Sequence, residues 1–146
     1  MTVVERLRSR GVTPRAVLYA RFSSDNQREE SIEAQLRAMH EYCSRNSIVV
    51  IHEFCDRAKS ATTDDRPEFL KMIRLCKKQK IDLVITKSIS RFARNTVDTL
   101  EYTRKLLQIG VGVRFLSDHI DTRDNDGELR LTIMASMAQE ESRKTS

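Results

Sequence analysis

AVLYARFSSDNQ, residues 16–27, is a short apolar run that ends in an arginine, two adjacent serines and a polar turn. Residues 16–22 suit a buried β-strand. The polar end of the stretch has two readings. One is a strand end and turn, in which a loop serine is only a turn residue or a cap. The other aims Arg21 at a phosphate beside a nucleophilic serine, Ser23 or its immediate rival Ser24.

The segments on either side set the context. Ser31 reads as a helix N-cap, because Ile32, Leu36, Met39 and Cys43 come after it at helical spacing and Glu33 sits in the first turn. That helix is expected to run to about Arg45. SIVVIHEF (47–54) is β-branched and reads as a second strand with a polar loop after it. Asp65-Arg66-Pro67-Glu68 carries an acidic cap, an early proline and a glutamate three residues after the cap, so the next helix should run to about Lys80 with Phe69, Ile73 and Cys76 inward. IDLVITKS (81–88) is a third strand. A third helix is expected over 95–109, with Val97, Leu100 and Leu107 on its apolar stripe and Gly110 closing it. VGVRFLS (111–117) is a fourth strand. After an acidic loop, residues 127–146 form a last helix with Leu131, Met134, Met137 and Ala138 on one face. That methionine-rich stripe reads either as plain core or as an adaptable interface.

Four alternations of strand and helix predict a mostly parallel sheet with helices on its faces. Ligands of such sheets meet the loops after the carboxyl ends of the strands. Arg21 and Ser23, then Asp56, then residues 88–94, then Asp118 should therefore converge on one edge. Of these, Arg21, Arg91 and Arg94, together with Arg66, are the candidates to grip a phosphate, since guanidinium is always charged and donates paired hydrogen bonds. Arg91 and Arg94 are three apart, on one side of a helical turn. Spacing alone equally fits solvated arginines at a helix start.

A length of 146 residues fits one domain. Residues 1–14 lack periodicity and read as a flexible leader, with the ordered domain over 15–146. No apolar run is long enough for a membrane span or a signal segment, so a cytoplasmic protein with no membrane partner is expected. A net charge of +5 makes a polyanion a plausible partner without identifying one. Cys43, Cys55 and Cys76 are widely spaced and read as buried, reduced thiols. His40, His52 and His119 fall in a helix, a strand and the acidic loop, which makes no evident Ser-His-Asp triad. The loop TRDNDGE fails as a calcium loop, because its first and twelfth places would be Thr122 and Ile133. No metal or other cofactor is expected.

Four segments in this order, YARFSSDNQ with SIEAQL, the Asp56 loop leading to RPEF, TKSISRFARNT, and GELRLTIMASMAQEES, resemble the catalytic domain of the serine site-specific recombinases. That group comprises resolvases, invertases and large serine integrases, and the spacing around Gln27 to Ser31 is most similar to the large members. The resemblance implies a three-layer α/β fold with a four- to five-stranded, mostly parallel sheet and a long C-terminal interface helix, within which this chain stops. It implies that Ser23 is the nucleophile, with Arg21, Arg66, Arg91 and Arg94 around the phosphate and Gln27, Gln35, Asp56, Ser60 and Ser90 supporting. Many members carry aspartate where this chain has Ser90, so no acid-base role is carried over to that position. The chemistry implied is metal-free transesterification of double-stranded DNA through a 5′-phosphoserine, in a homodimer that assembles to a homotetramer on DNA, encoded by a bacterium, phage or mobile element. Two alternatives are a serine-type transposase with the same chemistry and a non-catalytic regulatory or oligomerisation domain.

Overall fold

The computed structural model describes residues 13–23, 31–58, 66–93, 95–124 and 126–145, without the side chains of Ser23, Ala58 and residues 138–145. The chain alternates as the hydrophobic pattern predicts: β1 (Arg15–Ser23), α1 (Ile32–Arg45), β2 (Val49–Ala58), α2 (Pro67–Lys78), β3 (Leu83–Thr86), α3 (Ile89–Phe92), α4 (Thr96–Gln108), β4 (Gly112–Phe115), β5 (Ile120–Asp121) and α5 (Gly127–Thr145). The sheet order is β2-β1-β3-β4-β5. All pairs are parallel except β4 with the two-residue β5. No helix among the described residues is long and apolar enough to cross a membrane.

β1 is buried on both faces, and its two-residue period assigns one set of side chains to each layer. Ala16, Leu18 and Ala20 pack with Ile32, Met39 and Cys43 of α1, whereas Val17 and Tyr19 pack with the residues of α2, α4 and α5. Order reaches back to Pro14, which is buried and accepts the Val49 N–H at 2.9 Å. Burial pushes the Cys43 and Cys76 thiols up to about 11, as expected of inert core cysteines, whereas Cys55, also expected inside, is only half-buried on β2.

The larger layer is organised by edge-to-face rings, an arrangement worth about 0.5–1.5 kcal/mol per pair beyond area burial. Phe69 of α2 is the hub, with centroids 5.1 Å from Tyr19, 5.2 Å from Phe92 and 4.9 Å from Tyr102. Phe92 then meets Phe115 at 5.5 Å. These rings link β1, α2, α3, α4 and β4.

Several caps obey the sequence. The Ser31 hydroxyl accepts the Ala34 N–H, the Asn95 side chain accepts the Asp98 N–H, and Gly110 takes φ 82° after α4. The cap of α2 differs from expectation. Asp65 lies outside the described residues, and Arg66 at the N-cap position makes no side-chain cap bond. Asp56 provides the cap from another strand: its two carboxylate oxygens accept the Glu68 and Phe69 N–H groups, each at 3.0 Å. The loop expected after residue 54 is in fact strand, because β1 extends to Ser23 and β2 pairs with it to the end, Arg21 against Asp56. Asp56 is consequently a buried strand residue.

Two apolar stripes are shifted in phase. α4 buries Thr99, Thr103 and Leu106, leaving Val97 73% exposed and Leu100 and Leu107 half-buried. On α5, Leu131 and Ala135 are the core contacts, so Leu131 belongs to the interior. Met134 and Met137 lie on an exposed surface with Leu129 and Ile133, and the Ala138 side chain lies outside the described set. α5 docks on α4 through the Thr96 hydroxyl, which donates to the Ala135 carbonyl at 3.1 Å, and through Arg104 donating to Glu128 at 2.6 Å. Its first residue must be glycine. A Cβ on Gly127 would stand 2.3 Å from the Asp121 carbonyl oxygen.

These bonds make two outcomes measurable. Asp56→Ala should lower the unfolding free energy by about 3–5 kcal/mol, because it strands a buried phenol and two helix-start N–H groups; urea unfolding within about 0.5 kcal/mol of the parent would contradict this. Asp121 is buried at the foot of α5, and burial raises its carboxyl from 3.8 to about 6, against the opposing Arg123 N–H. With the folded value above the unfolded one, the folded state holds more protons between those values, so the contribution of Asp121 to stability falls as pH rises from about 4 to 6. Asp121→Asn retains an acceptor for Arg123 and removes the charge. Its melting temperature relative to the parent should rise across that interval and then level off, and a pH-independent difference would refute the assignment.

Candidate active site

The carboxyl ends of β1, β2 and β3 and the turn after β4 form one edge of the sheet. There the polypeptide is held by polar bonds that the strand ladder cannot supply. Gln35 of α1 is fully buried and grips the backbone of Arg21 on both sides: its Nε2 donates to the Arg21 carbonyl at 2.9 Å, and its Oε1 accepts the Arg21 N–H at 3.3 Å. A buried amide used this way fixes the strand end, since both of its polar ends would be costly to leave unpaired. Ser23 is the last residue of β1, two residues beyond this clamp and paired in register with Ala58. Its side chain lies outside the described set.

Arg21 reaches across the edge and donates from Nη2 to the Ser90 carbonyl at 2.8 Å. This bond joins the end of β1 to α3, the short helix that carries Ser90 and Arg91. The Ser88 and Ser90 hydroxyls are 3.1 Å apart. Asp118 caps the helix from the β4 turn by accepting the Ile89 N–H at 3.0 Å. The Arg91 N–H donates to the Ser88 carbonyl at 3.1 Å. Sequence reasoning anticipates this convergence of Arg21, Ser90 and Arg91 but not the four-residue helix, which is too short to show periodicity.

Asp56 and Arg66 form the layer beneath. Tyr19 donates its hydroxyl to Asp56 at 2.7 Å; burial, and then this bond, pushes the phenol far above its ordinary range, so it remains a donor. Arg66 is 9% exposed and donates to the Phe92 carbonyl at 2.7 Å and to Asp98 at 3.0 Å, with its guanidinium carbon 4.3 Å from the centre of the Phe69 ring. The expected phosphate grip from Arg66 is thus an internal tie in this structure: desolvation drives the guanidinium to satisfy its donors on α3 and α4. Its carbonyl partner, Phe92, lies two residues before Arg94. Arg94 itself, with Gln27 and Ser60, falls outside the described residues.

The histidines are placed elsewhere. His40 pairs with Glu53 on the surface, the His52 ring lies 4.5 Å from Phe54, and His119 comes after β4 with φ 53°. Among the described residues no cluster of three or more His, Cys, Asp or Glu is placed to hold a metal ion. What the edge offers is a serine-ended strand beside backbone-anchored arginines, an arrangement suited to an anionic substrate.

A family model described as "Resolvase, N terminal domain" matches residues 16–146. The Tn3 transposon resolvase of Escherichia coli is 31% identical over 126 residues, 86% of this chain and 63% of that protein. A resolvase/recombinase of Pseudomonas putida is 30% identical over 123 residues, 84% of this chain and 62% of that protein. The chain therefore spans about three fifths of the length of these curated relatives. Among solved structures, a resolvase family site-specific recombinase from Streptococcus pneumoniae superposes with a TM-score of 0.72 at 28% identity, covering 91% of this chain and 93% of that one. The N-terminal catalytic domain of TP901-1 integrase shares the fold at a TM-score of 0.72 and 22% identity, covering 90% and 99%. With the arginine-bearing sheet edge, these matches show that the chain belongs to the resolvase family of serine site-specific recombinases.

Proposed function

We propose that this chain is the catalytic domain of a DNA recombinase in which Ser23 attacks a phosphodiester of double-stranded DNA. The observation that carries this reading is the anchored strand end: Gln35 clamps the Arg21 backbone, and the Arg21 side chain bonds α3, two residues before Ser23. In the attack the Ser23 hydroxyl gives up its proton as its oxygen bonds to phosphorus, the bond to the 3′ oxygen breaks, and the released 3′ oxygen takes up a proton, so the step is proton-neutral overall. The products are a 5′-phosphoserine link and a free 3′-hydroxyl. Rejoining reverses the same steps and needs no ATP, because one phosphoester bond replaces another.

Charge on the transferring phosphoryl group grows most in the transition state, where fixed guanidinium groups contribute more than they do to ground-state binding. Arg21, Arg91 and Arg94 are assigned that role. Arg66, Asp56 and Gln35 are assigned to positioning, and Ser90, Gln27 and Ser60 to a supporting role. The catalytic domain is taken as residues 15–146. The proposed assembly is a homodimer that pairs into a tetramer on DNA, using the exposed α5 residues Met134 and Met137; methionine suits a surface that must repack. A serine-type transposase would use the same residues, and the fold is shared at a TM-score of 0.60 and 26% identity with the C-terminal catalytic domain of ISC1926 TnpA, an IS607-like serine recombinase.

The test is covalent capture of the full-length protein on nicked suicide duplexes. The parent should form a protein-DNA adduct and Ser23→Ala none; an adduct in Ser23→Ala would overturn the assignment. Arg91→Gln should slow adduct formation by about 100-fold or more at saturating DNA. Gln35→Leu should slow it by about tenfold or more with duplex affinity nearly unchanged, as expected of a positioning residue. Equal losses of affinity and rate would assign Gln35 to binding.

A further inference from the structure

On the face of the sheet opposite the aromatic layer, α1 packs over β1, β2 and β3. A cleft of about 260 Å³ lies between its C-terminal half and the turns after β3 and β4. Three permanent cations line it from three separate elements: Arg45 from α1, Lys87 from the end of β3 and Arg114 from β4. Glu41 is the one carboxylate in the lining, and the hydroxyls of Tyr42 and Ser117 add neutral donors. None of the three cations forms an ion pair among the described residues.

Arg114 carries the argument furthest. Its guanidinium carbon lies 5.7 Å from the centre of the Tyr42 ring, and its buried Nε has no hydrogen-bond partner among the described residues. Asp121, its partner in the β4–β5 register, accepts the Arg123 N–H and lies close enough to feel the Arg114 charge, but it does not reach the Nε. A buried N–H without an acceptor costs stability, and in native proteins such a group has a reason to be left open. A planar guanidinium, backed by an aromatic face and flanked by two further cations from different directions, matches an acceptor with several oxygens and more than one available edge.

We propose that this cleft, on the α1 face of the sheet beside the Ser23 edge, is a second phosphate site that binds a phosphate oxyanion. The oxyanion is either a backbone phosphodiester of DNA or a free phosphate. Lys87 couples the cleft to the edge: it immediately precedes Ser88, and its carbonyl accepts the Ser117 N–H at 2.8 Å. An anion held there fixes the turn that leads into Ser90 and Arg91.

The test uses the amide NMR signals of Tyr42, Lys87, Arg114 and Ser117, titrated with inorganic phosphate and separately with a short duplex. Binding is compared between the parent and Arg45→Gln/Lys87→Gln, in which both altered side chains are peripheral to the core; Arg114→Lys is the second variant, retaining charge without the fork. Phosphate should shift these signals saturably, and each variant should weaken that binding by about tenfold. If the source is DNA, the double variant also loses duplex affinity and its salt slope falls by about 1–2. If the source is a free phosphate, duplex affinity stays at the parent value while phosphate binding is lost. The absence of a saturable phosphate shift, or parent-like phosphate binding in the variants, overturns the proposal. So does loss of duplex affinity without any phosphate response, which would mark diffuse charge alone. Ser23→Ala should bind phosphate in the cleft like the parent, which separates failure of this site from failure of the serine chemistry.

Discussion

A single carboxylate holds the working edge to the fold. Asp56 accepts the Tyr19 hydroxyl and two N–H groups of α2, and it lies in register with Arg21. It thereby ties β1, β2 and α2 together where the strands end, at the point where a parallel sheet has no further ladder bonds to give. A buried carboxylate is tolerable only when its oxygens are met by donors, and these three donors are themselves buried or at a helix start that needs an acceptor. Each group satisfies the other. α2 is fixed at its first turn, and its Phe69 becomes the hub of the aromatic layer.

From that hub, order passes to the arginines by two routes. Through the core, Phe69 packs on Phe92, and Arg66 binds the Phe92 carbonyl, so α3 is fixed from below. From the α1 side, buried Gln35 holds the Arg21 backbone while the Arg21 side chain holds the Ser90 carbonyl. The four-residue α3 could not persist alone, since so short a helix gains too few hydrogen bonds to offset its ordering. Its placement is therefore imposed by tertiary contacts, and the functional segment inherits the rigidity of the core. In the proposed phosphoryl transfer, such preorganisation is where rate is gained.

Much of this is legible from local chemistry. The Ser31 cap, the glycine after α4 and the alternation of strands and helices depend on neighbours in sequence, and the structure agrees with them. Asp56 reads as a loop residue because a strand extending through Cys55, Asp56 and Arg57 has no apolar signature; its partner β1 decides its state. Arg66 reads as a free cation because its acceptors, the Phe92 carbonyl and Asp98, are remote in sequence. The α4 stripe is misphased because threonines face the core there, with Thr99 and Thr103 hydroxyls returned to carbonyls of their own helix or its cap. A hydropathy pattern cannot see a polar group that is satisfied locally. Leu131 and Met134 share an apolar character, yet only Leu131 lies against the core.

The proposed attack by Ser23, at the anchored end of β1, is tested most directly by chemistry. The trapped protein-DNA adduct is digested with nuclease and protease, and the nucleotide-bearing peptide is sequenced by mass spectrometry. A phosphodeoxynucleotide is expected on Ser23 alone. A nucleotide on Ser24, Ser88 or Ser90 would contradict it.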